Sequence, residues 1–207
     1  MRALRRLEAL SRWFLPPVVD DEDRLRRLRI ALVMALGLTI LVPLVAIYEL
    51  STGDQHRLTE DCAHFASGVI VLVMIRLGVS TTVLGHALAL SVVGPALLVL
   101  LPTRGQLDAS ALGLSVAPVA AMLVSGSRSG WFWVVVSLLG HGLLYAHGET
   151  VLQREWCLGL AAMGVGLAVV MQIFETTLVR QVRELEQARD EAEVATRAIP
   201  LFGCPKW

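Results

Sequence analysis

The amino-acid sequence predicts an all-α polytopic membrane protein with six transmembrane helices, the last of which continues into a cytoplasmic coiled-coil helix. Of its 207 residues, 55% are hydrophobic and only 17% are charged, whereas soluble domains carry about 25% charged residues. Uncharged stretches long enough to cross a membrane recur along the chain, and glycine and proline are absent between Leu167 and Ile199. The length leaves no room for a sizeable soluble catalytic domain beside such a bundle.

The first three predicted spans lie in the N-terminal half of the chain. Span one runs from Ile30 to Tyr48 without a charge, and a hydrocarbon core of about 30 Å requires roughly 20 helical residues. A second apolar stretch, from Ala63 to Leu101, is about twice as long as one span needs. Arg76, followed by Gly78 and Ser80, divides this stretch into a hairpin of spans two and three.

The remaining three spans are uncharged and are bounded by polar or glycine-containing loops. They are Ala109 to Ser125, Gly130 to Ala146 and Cys157 to Phe174. Because no glycine or proline follows Gly166 before Pro200, span six is predicted to continue as one helix to Ala198. The six-span transmembrane domain therefore covers residues 30–174.

The positions of the arginines predict the orientation of these spans. Lys and Arg are retained in the short flanks on the cytoplasmic side of a membrane. Eight arginines lie near the membrane on the face that carries the N-terminus, and three lie on the other face. The eight are Arg24, Arg26, Arg27, Arg29, Arg76, Arg128, Arg180 and Arg183. Both termini are therefore predicted to be cytoplasmic, in a multi-pass protein of the plasma membrane.

Residues 1–29 are predicted to form a cytoplasmic amphipathic lead-in to span one. Leu4, Leu7, Leu10 and Phe14 recur at helical spacing, and arginines occupy the other faces of the same helix. Such a helix lies on the inner leaflet with its apolar face in the lipid. The two open readings are simple anchoring and lipid sensing.

Residues 175–198 are predicted to form a cytoplasmic coiled-coil helix. An apolar seam at spacings of four, three and seven is typical of a coiled coil, and Arg180 with Glu184 lies four residues apart on an exposed face. The seam consists of Leu178, Val182, Leu185 and Ala192. This pattern favours a parallel homodimer through span six and residues 175–198, and the alternative is a single solvated helix.

The sequence contains none of the common motifs for catalysis or cofactor binding. A phosphate-binding loop, a dinucleotide-binding fingerprint, a C-x-x-C pair and an H-E-x-x-H motif are all absent. We therefore expect no catalytic residue, no cofactor and no dedicated metal site. The formal net charge of zero gives no reason to expect a nucleic-acid partner. Intramembrane carboxylates, which mark many ion-coupled transporters, are also missing from the predicted spans.

Three histidines are candidates for sensing. His64, His141 and His147 are all predicted to lie towards the outer side of the membrane, so an outer metal-binding or pH-sensing site is one interpretation. The other interpretation is that each is a hydrogen-bonded packing residue.

Two cysteines are candidates for a disulfide bond. The topology places Cys62 and Cys157 at the outer ends of their helices, in the oxidising compartment. A bridge between them would tie span two to span six, and the alternative is two free thiols, since spacing alone does not establish the required geometry.

Three stretches of sequence carry a family resemblance. They are "WFLPPVVDDEDRLRRLR" at residues 13–29, "TRGQLDASALGLSVAPVAAMLVSGSRSGWFWV" at residues 103–134 and "RELEQARDEAEVATRA" at residues 183–198. Together, over residues 13–198, they resemble the N-terminal membrane input module of bacterial sensor histidine kinases, particularly the hybrid kind with six spans. The resemblance implies a location in the bacterial inner membrane and detection of an unidentified small-molecule or membrane stimulus. It also implies that the coiled-coil helix at residues 175–198 is a signalling helix, which transmits the response.

The C-terminal residues depart from this family. The family continues with Lys-Ser-x-Phe-Leu-Ala and the box holding the phosphorylated histidine, whereas this chain reads "IPLFGCPKW". A shift of reading frame near Ala198 would recover a sequence close to the family motif, so we expect a frameshift or truncation there and a non-native tail at residues 199–207. Without the phosphoacceptor and ATP-binding domains, this chain is expected to be inactive as a kinase by itself. The alternatives are the input module of a diguanylate cyclase and a non-enzymatic membrane structural or transport protein.

Overall fold

A computed structural model of the chain describes residues 13–16, 21–52, 55–100, 110–148 and 150–198. The long elements in these ranges are all α-helices, as the sequence predicts. They are α1 (Glu22–Thr52), α2 (Gln55–Arg76), α3 (Thr81–Leu100), α4 (Ser110–Ser125), α5 (Ser127–His147) and α6 (Val151–Ala198). Most of the predicted lead-in helix, residues 1–12, and the predicted tail at residues 199–207 lie outside the described residues.

Four of these helices, α1, α2, α5 and α6, are long and apolar enough to cross a membrane by length and composition. The apolar parts of the other two, Thr81–Leu97 in α3 and Ala111–Ser125 in α4, are shorter. At 1.5 Å per residue they measure about 22 to 26 Å, against a hydrocarbon thickness of about 30 Å. Large apolar side chains such as Ile40 and Leu44 on α1 expose 59% and 62% of their surface. The helices are thus compatible with a membrane protein whose outer faces contact lipid.

The start of α1 is stabilised by acidic residues. The Asp21 Oδ1 atom accepts a hydrogen bond of 3.0 Å from the backbone N–H of Asp23, which satisfies a donor at the helix N-terminus. The Asp23 carboxylate binds Arg26 at 2.6 Å and Arg27 at 2.7 Å. Burial alone would raise the pKa of Asp23, but the hydrogen bonds and charges of Arg27 and Arg26 outweigh burial and hold this pKa below its usual value.

The α2–α3 turn, the start of α1 and the end of α4 lie at one end of the helical bundle. Gly78 adopts a φ of 71° in the turn, a backbone conformation that residues with a Cβ atom rarely adopt. Its carbonyl oxygen accepts a hydrogen bond of 3.2 Å from Arg24 on α1. The Ser125 Oγ atom donates to the carbonyl oxygen of Thr81 over 3.2 Å. The predicted topology requires these three segments to be on the same side of the membrane.

The chain divides into two units, Met1–Met171 and Gln172–Trp207, close to the predicted boundary after residue 174. The first unit contains two main apolar clusters. The α1–α3 cluster joins α1, α2 and α3 through fully buried side chains that include Leu28, Ile75, Leu84 and Leu88. The second cluster joins α3, α4, α5 and α6 through residues that include Ala89, Leu114, Trp133 and Leu160. All of these are helix-packing contacts.

The second unit, described as far as residue 198, is the C-terminal part of α6. The predicted pair is present, with the Arg180 Nε atom 2.8 Å from the Glu184 Oε1 atom. The apolar side chains of Val182 and Leu185 expose 46% and 71% of their surface. The single chain therefore leaves the predicted seam open to solvent along this part of the helix.

Candidate functional site

A buried polar network lies between α4, α5 and α6 in the first unit. Ser115 on α4 is 0% exposed, Ser137 on α5 is 4% exposed and His141 on α5 is 2% exposed. Their neighbours in the surrounding apolar cluster include Leu114, Leu144 and Leu160. Polar groups in such a setting lose the hydrogen bonds of water, so each must find a partner within the protein.

The network reaches α6 because α4 and α6 approach each other closely at Gly164. A Cβ atom at Gly164 would lie 3.2 Å from the Ser115 Cα atom, closer than most real Cβ contacts. A backbone atom cannot rotate away, so any larger residue would force the two helices apart by a few tenths of an ångström. The close approach brings the short Ser115 side chain to α6, where its Oγ atom donates a hydrogen bond of 2.8 Å to the Leu160 carbonyl oxygen.

His141 connects α5 to the same serine. Its Nδ1 atom lies 2.8 Å from the carbonyl oxygen of Ser137, one turn earlier in α5, and its Nε2 atom lies 3.3 Å from the Ser115 Oγ atom. A carbonyl oxygen only accepts hydrogen bonds, so the Nδ1 atom carries a proton. The Ser137 hydroxyl donates to the carbonyl oxygen of Leu114 on α4. The hydroxyl groups of Ser115 and Ser137 thus link α4, α5 and α6 by donating to backbone carbonyl oxygens of neighbouring helices.

A small cavity adjoins this network. It is lined by Ser137, His141 and residues of α6 such as Ala161 and Gly164, and its volume is about 10 Å³. A volume of about 10 to 15 Å³ holds one water molecule. The cavity therefore has room for about one water molecule and is too small for an organic ligand.

His86 on α3 forms a second polar contact that the sequence did not indicate. The Trp133 Nε1–H group donates a hydrogen bond of 2.9 Å to the His86 Nδ1 atom. Since an indole only donates, the His86 proton lies on Nε2, which faces the Ser129 Oγ atom at 3.4 Å. The only available signal in the sequence is that a buried Trp needs an acceptor. The identity of that acceptor depends on how α3 packs against α5.

The structure places the other two sensing candidates apart from this network. The Nδ1 atom of His64 on α2 lies 2.8 Å from the Ser91 carbonyl oxygen on α3, and its Nε2 atom lies 3.6 Å from the Glu60 Oε1 atom. His147 is exposed, and its Nδ1 atom contacts the Leu143 carbonyl oxygen of its own helix at 2.8 Å. The three histidines thus have three different sets of partners. Among the residues that the structure describes, no group of three His, Cys, Asp or Glu side chains could hold a metal ion.

The two predicted disulfide partners are free thiols. Cys62 on α2 is exposed, and Cys157 on α6 is buried in the cluster that joins α3 to α6. The bridge suggested by the topology is therefore not formed in this structure.

We therefore take the buried network on α4, α5 and α6 as the candidate site, because its polar groups link three helices and contact the backbone of α6 directly. Comparisons of the chain with protein-family models, with curated proteins and with solved structures find no match.

Proposed function

We propose that this chain is the signal-input module of a membrane sensor and that α6 is its output helix. The observation that carries this proposal is the hydrogen bond from Ser115 to the Leu160 carbonyl oxygen. Through this bond a buried polar site acts on the backbone of α6, and α6 is one helix from Val151 to Ala198. A chemical change at Ser115 or His141 can therefore alter the position of the helix that leads to the cytoplasmic segment.

The energy needed for such a response is modest. A stimulus shifts a conformational equilibrium only by its difference in affinity for the two states. Typical couplings between sites are about 1 to 3 kcal/mol, or about 5- to 150-fold. Gaining or losing one buried hydrogen bond changes the free energy by about 1 kcal/mol, so the Ser115–Leu160 contact lies within the required range.

The proposal includes six spans, two cytoplasmic termini and a location in the bacterial inner membrane. It is supported by the position of the α1 start, the α2–α3 turn and the end of α4 at one end of the bundle. The whole of α3 has 20 residues, about 30 Å of helix, and local thinning of the bilayer accommodates a shorter α4. Reporter fusions after Thr52, Gly78, Arg104 and Gly126 test this topology. We expect an outer reporter to be active after Thr52 and Arg104 only, and an inactive outer reporter after Arg104 would contradict six spans.

We further propose that α6 pairs with its copy in a parallel homodimer and drives a histidine kinase, or a diguanylate cyclase, as output. The exposed Val182 and Leu185 side chains support this pairing, because a second helix would cover them. A cysteine at Leu185 is expected to cross-link two copies in native membranes. A cysteine at the charged position Glu186 is the matched control, and equal cross-linking of both would contradict the seam.

The test of the input function is a fusion of residues 1–198 to a histidine kinase core, with autophosphorylation measured in native membranes. We expect Ser115→Ala to change the basal rate by about fivefold or more, in line with a typical coupling. The control is Leu112→Ala, which alters an exposed side chain on the same helix and should change the rate by less than about twofold. An output that is insensitive both to Ser115→Ala and to deletion of residues 30–174 would instead favour a structural role.

A further inference from the structure

When the His141 imidazole is neutral, the hydrogen-bond network around it has fewer protons than contacts that need one. Three contacts need a proton: His141 Nδ1 with the Ser137 carbonyl oxygen, Ser115 Oγ with the Leu160 carbonyl oxygen, and Ser115 Oγ with His141 Nε2. A neutral imidazole and a serine hydroxyl supply two protons between them. One of the three contacts must then join two lone pairs.

Rearranging the two protons does not remove this shortage. If the Ser115 hydroxyl turns to His141, the Leu160 carbonyl loses its side-chain donor. If the imidazole proton moves to Nε2, the Nδ1 lone pair faces the Ser137 carbonyl oxygen at 2.8 Å. The observed distances, 2.8 Å to Leu160 and 3.3 Å to His141, assign the Ser115 proton to Leu160. The unsatisfied contact therefore lies between Ser115 and the Nε2 atom of His141.

We propose that His141 is a proton-binding site and that a proton is the stimulus of this input module, an inference that rests on the proposed function for its readout. An imidazolium donates from both ring nitrogens. Nδ1–H then binds Ser137, Nε2–H binds Ser115, and the Ser115 hydroxyl binds Leu160. One added proton completes all three contacts without moving a backbone atom.

Among the titratable groups on the surrounding helices, His141 is the one placed to bind this proton. No Asp, Glu, Lys, Arg, His, Cys or Tyr occurs on α4 from Ser110 to Ser125. On α3, His86 is held by Trp133, and on α5, Arg128 lies at the start of the helix while Tyr145 and His147 lie nearer its end. On α6, the Arg154 guanidinium lies 5.8 Å from the Tyr145 ring centroid, Glu155 is exposed, and the buried Cys157 thiol is one turn from Leu160. Since none of these supplies a buried carboxylate, the imidazolium charge is stabilised by the serine hydroxyl and the carbonyl dipole, and its burial opposes protonation.

Proton binding strengthens the link between α4, α5 and α6. A hydrogen bond from an imidazolium is charge-assisted and stronger than a neutral one. It also polarises the Ser115 hydroxyl, which strengthens its bond to the Leu160 carbonyl oxygen. Release of the proton leaves Ser115 with two competing acceptors. Acidic and alkaline conditions therefore favour different degrees of attachment of α6 to the bundle.

The experiment is a pH titration of the full chain in lipid nanodiscs, with ¹⁵N-labelled histidine observed by NMR. His141→Gln assigns the His141 signals, and His141→Asn serves if the first variant does not fold. Because burial opposes protonation, we expect the His141 nitrogens to change from a neutral to an imidazolium signature in the acid part of the usual histidine range, between about pH 5 and 6.5. Ser115→Ala should weaken proton binding by about tenfold, because it removes the acceptor of a charge-assisted hydrogen bond.

The matched control is Ser137→Ala. Ser137 is also buried and also donates to a carbonyl oxygen, but His141 contacts only its backbone oxygen, which alanine retains. This variant should change the proton affinity by less than about threefold. A His141 imidazole that stays neutral down to pH 5, or equal effects of the two serine variants, would overturn the proton site.

The titration uses no output domain, so it fails or succeeds independently of the proposed function. A titrating His141 combined with a kinase fusion that ignores pH between 5 and 8 would retain the proton site and refute the proton as stimulus. A fusion that responds to pH while His141 stays neutral would support the input function and refute the proton site.

Discussion

Replacing Gly164 by alanine tests the close approach of α4 and α6 on which the candidate site depends. A Cβ atom at this position would lie 3.2 Å from the Ser115 Cα atom and 3.4 Å from its carbonyl oxygen, whereas ordinary contacts are 3.4 to 4 Å. Both opposing atoms belong to the α4 backbone and cannot rotate away. We therefore expect Gly164→Ala to push α4 and α6 apart by several tenths of an ångström.

The cost follows from this displacement. Overpacking a well-packed contact costs about 1 to 3 kcal/mol. A separation of a few tenths of an ångström also lengthens the 2.8 Å bond between Ser115 and Leu160, and weakening this bond costs about 0.5 to 1.5 kcal/mol. Alanine returns about 0.5 to 1 kcal/mol through its higher helix propensity. The free energy of unfolding should fall by about 0.5 to 4 kcal/mol.

The matched control lies two residues away on the same helix. A Cβ atom at Gly166 meets no atom within 4 Å, so Gly166→Ala gains helix propensity without overpacking. Unfolding of both variants in mixed micelles, titrated with SDS and followed by circular dichroism, measures the difference. If Gly164→Ala is as stable as Gly166→Ala, the close approach of α4 and α6 is wrong, and the route from Ser115 to α6 is wrong with it.

Three further predictions concern other parts of the first unit. Trp133→Phe removes the hydrogen bond to His86 and part of a buried ring, so it should lower the free energy of unfolding by at least about 0.5 to 1.5 kcal/mol, and a double-mutant cycle with His86→Leu should show that the hydrogen-bond part of this loss depends on His86. The pKa of Asp23 is held below its usual 3.8, so its contribution to stability is complete above that pH and is lost as the pH falls through the lower value in the folded state. In the Asp23→Asn variant, the free energy of unfolding should therefore fall less steeply as the pH is lowered below about 3.8. An equally steep fall in the variant would contradict the pairing of Asp23 with the neighbouring arginines. In native membranes without reductant, a membrane-impermeant maleimide should label the exposed Cys62 and not the buried Cys157; labelling of neither before reduction would indicate a bridge instead.

Much of the helical framework could be predicted from the sequence, because local pattern determines it. The segment from Ile30 to Tyr48 lies within α1, and the break at Arg76 coincides with the end of α2. The continuity of α6 follows from the absence of helix-breaking residues. The number of spans is harder to predict from the sequence pattern, because the apolar parts of α3 and α4 are near the lower limit of membrane-spanning length.

The candidate site could be predicted only in part. The sequence is enough to make His141 a sensing candidate, because it lies towards the outer side of the membrane in the predicted topology, but it does not indicate the partners of His141. Ser115 lies 26 residues from His141 and 45 residues from Leu160, so these contacts depend on how α4, α5 and α6 pack. The available signals were a serine inside an apolar span and small residues on span six, which are typical of helix contacts in membranes. They indicate a contact without identifying its partner.

The two apolar clusters of the first unit differ in the polar groups beside them. Lipid tails are as apolar as leucine, so apolar packing distinguishes weakly between helix arrangements in a bilayer, and polar contacts add specificity. The α1–α3 cluster consists of aliphatic and other apolar side chains, whose packing does not itself depend on pH. The cluster that joins α3 to α6 adjoins Ser115 and His141, whose hydrogen bonds depend on one proton in the proposed site. If His141 binds a proton as proposed, α6 changes its attachment to α4 while the apolar contacts of the α1–α3 cluster stay unchanged. His64 is another histidine that links two helices, since it contacts the Ser91 carbonyl oxygen on α3 and lies near Glu60, so His64→Gln separates its contribution to a pH response from that of His141.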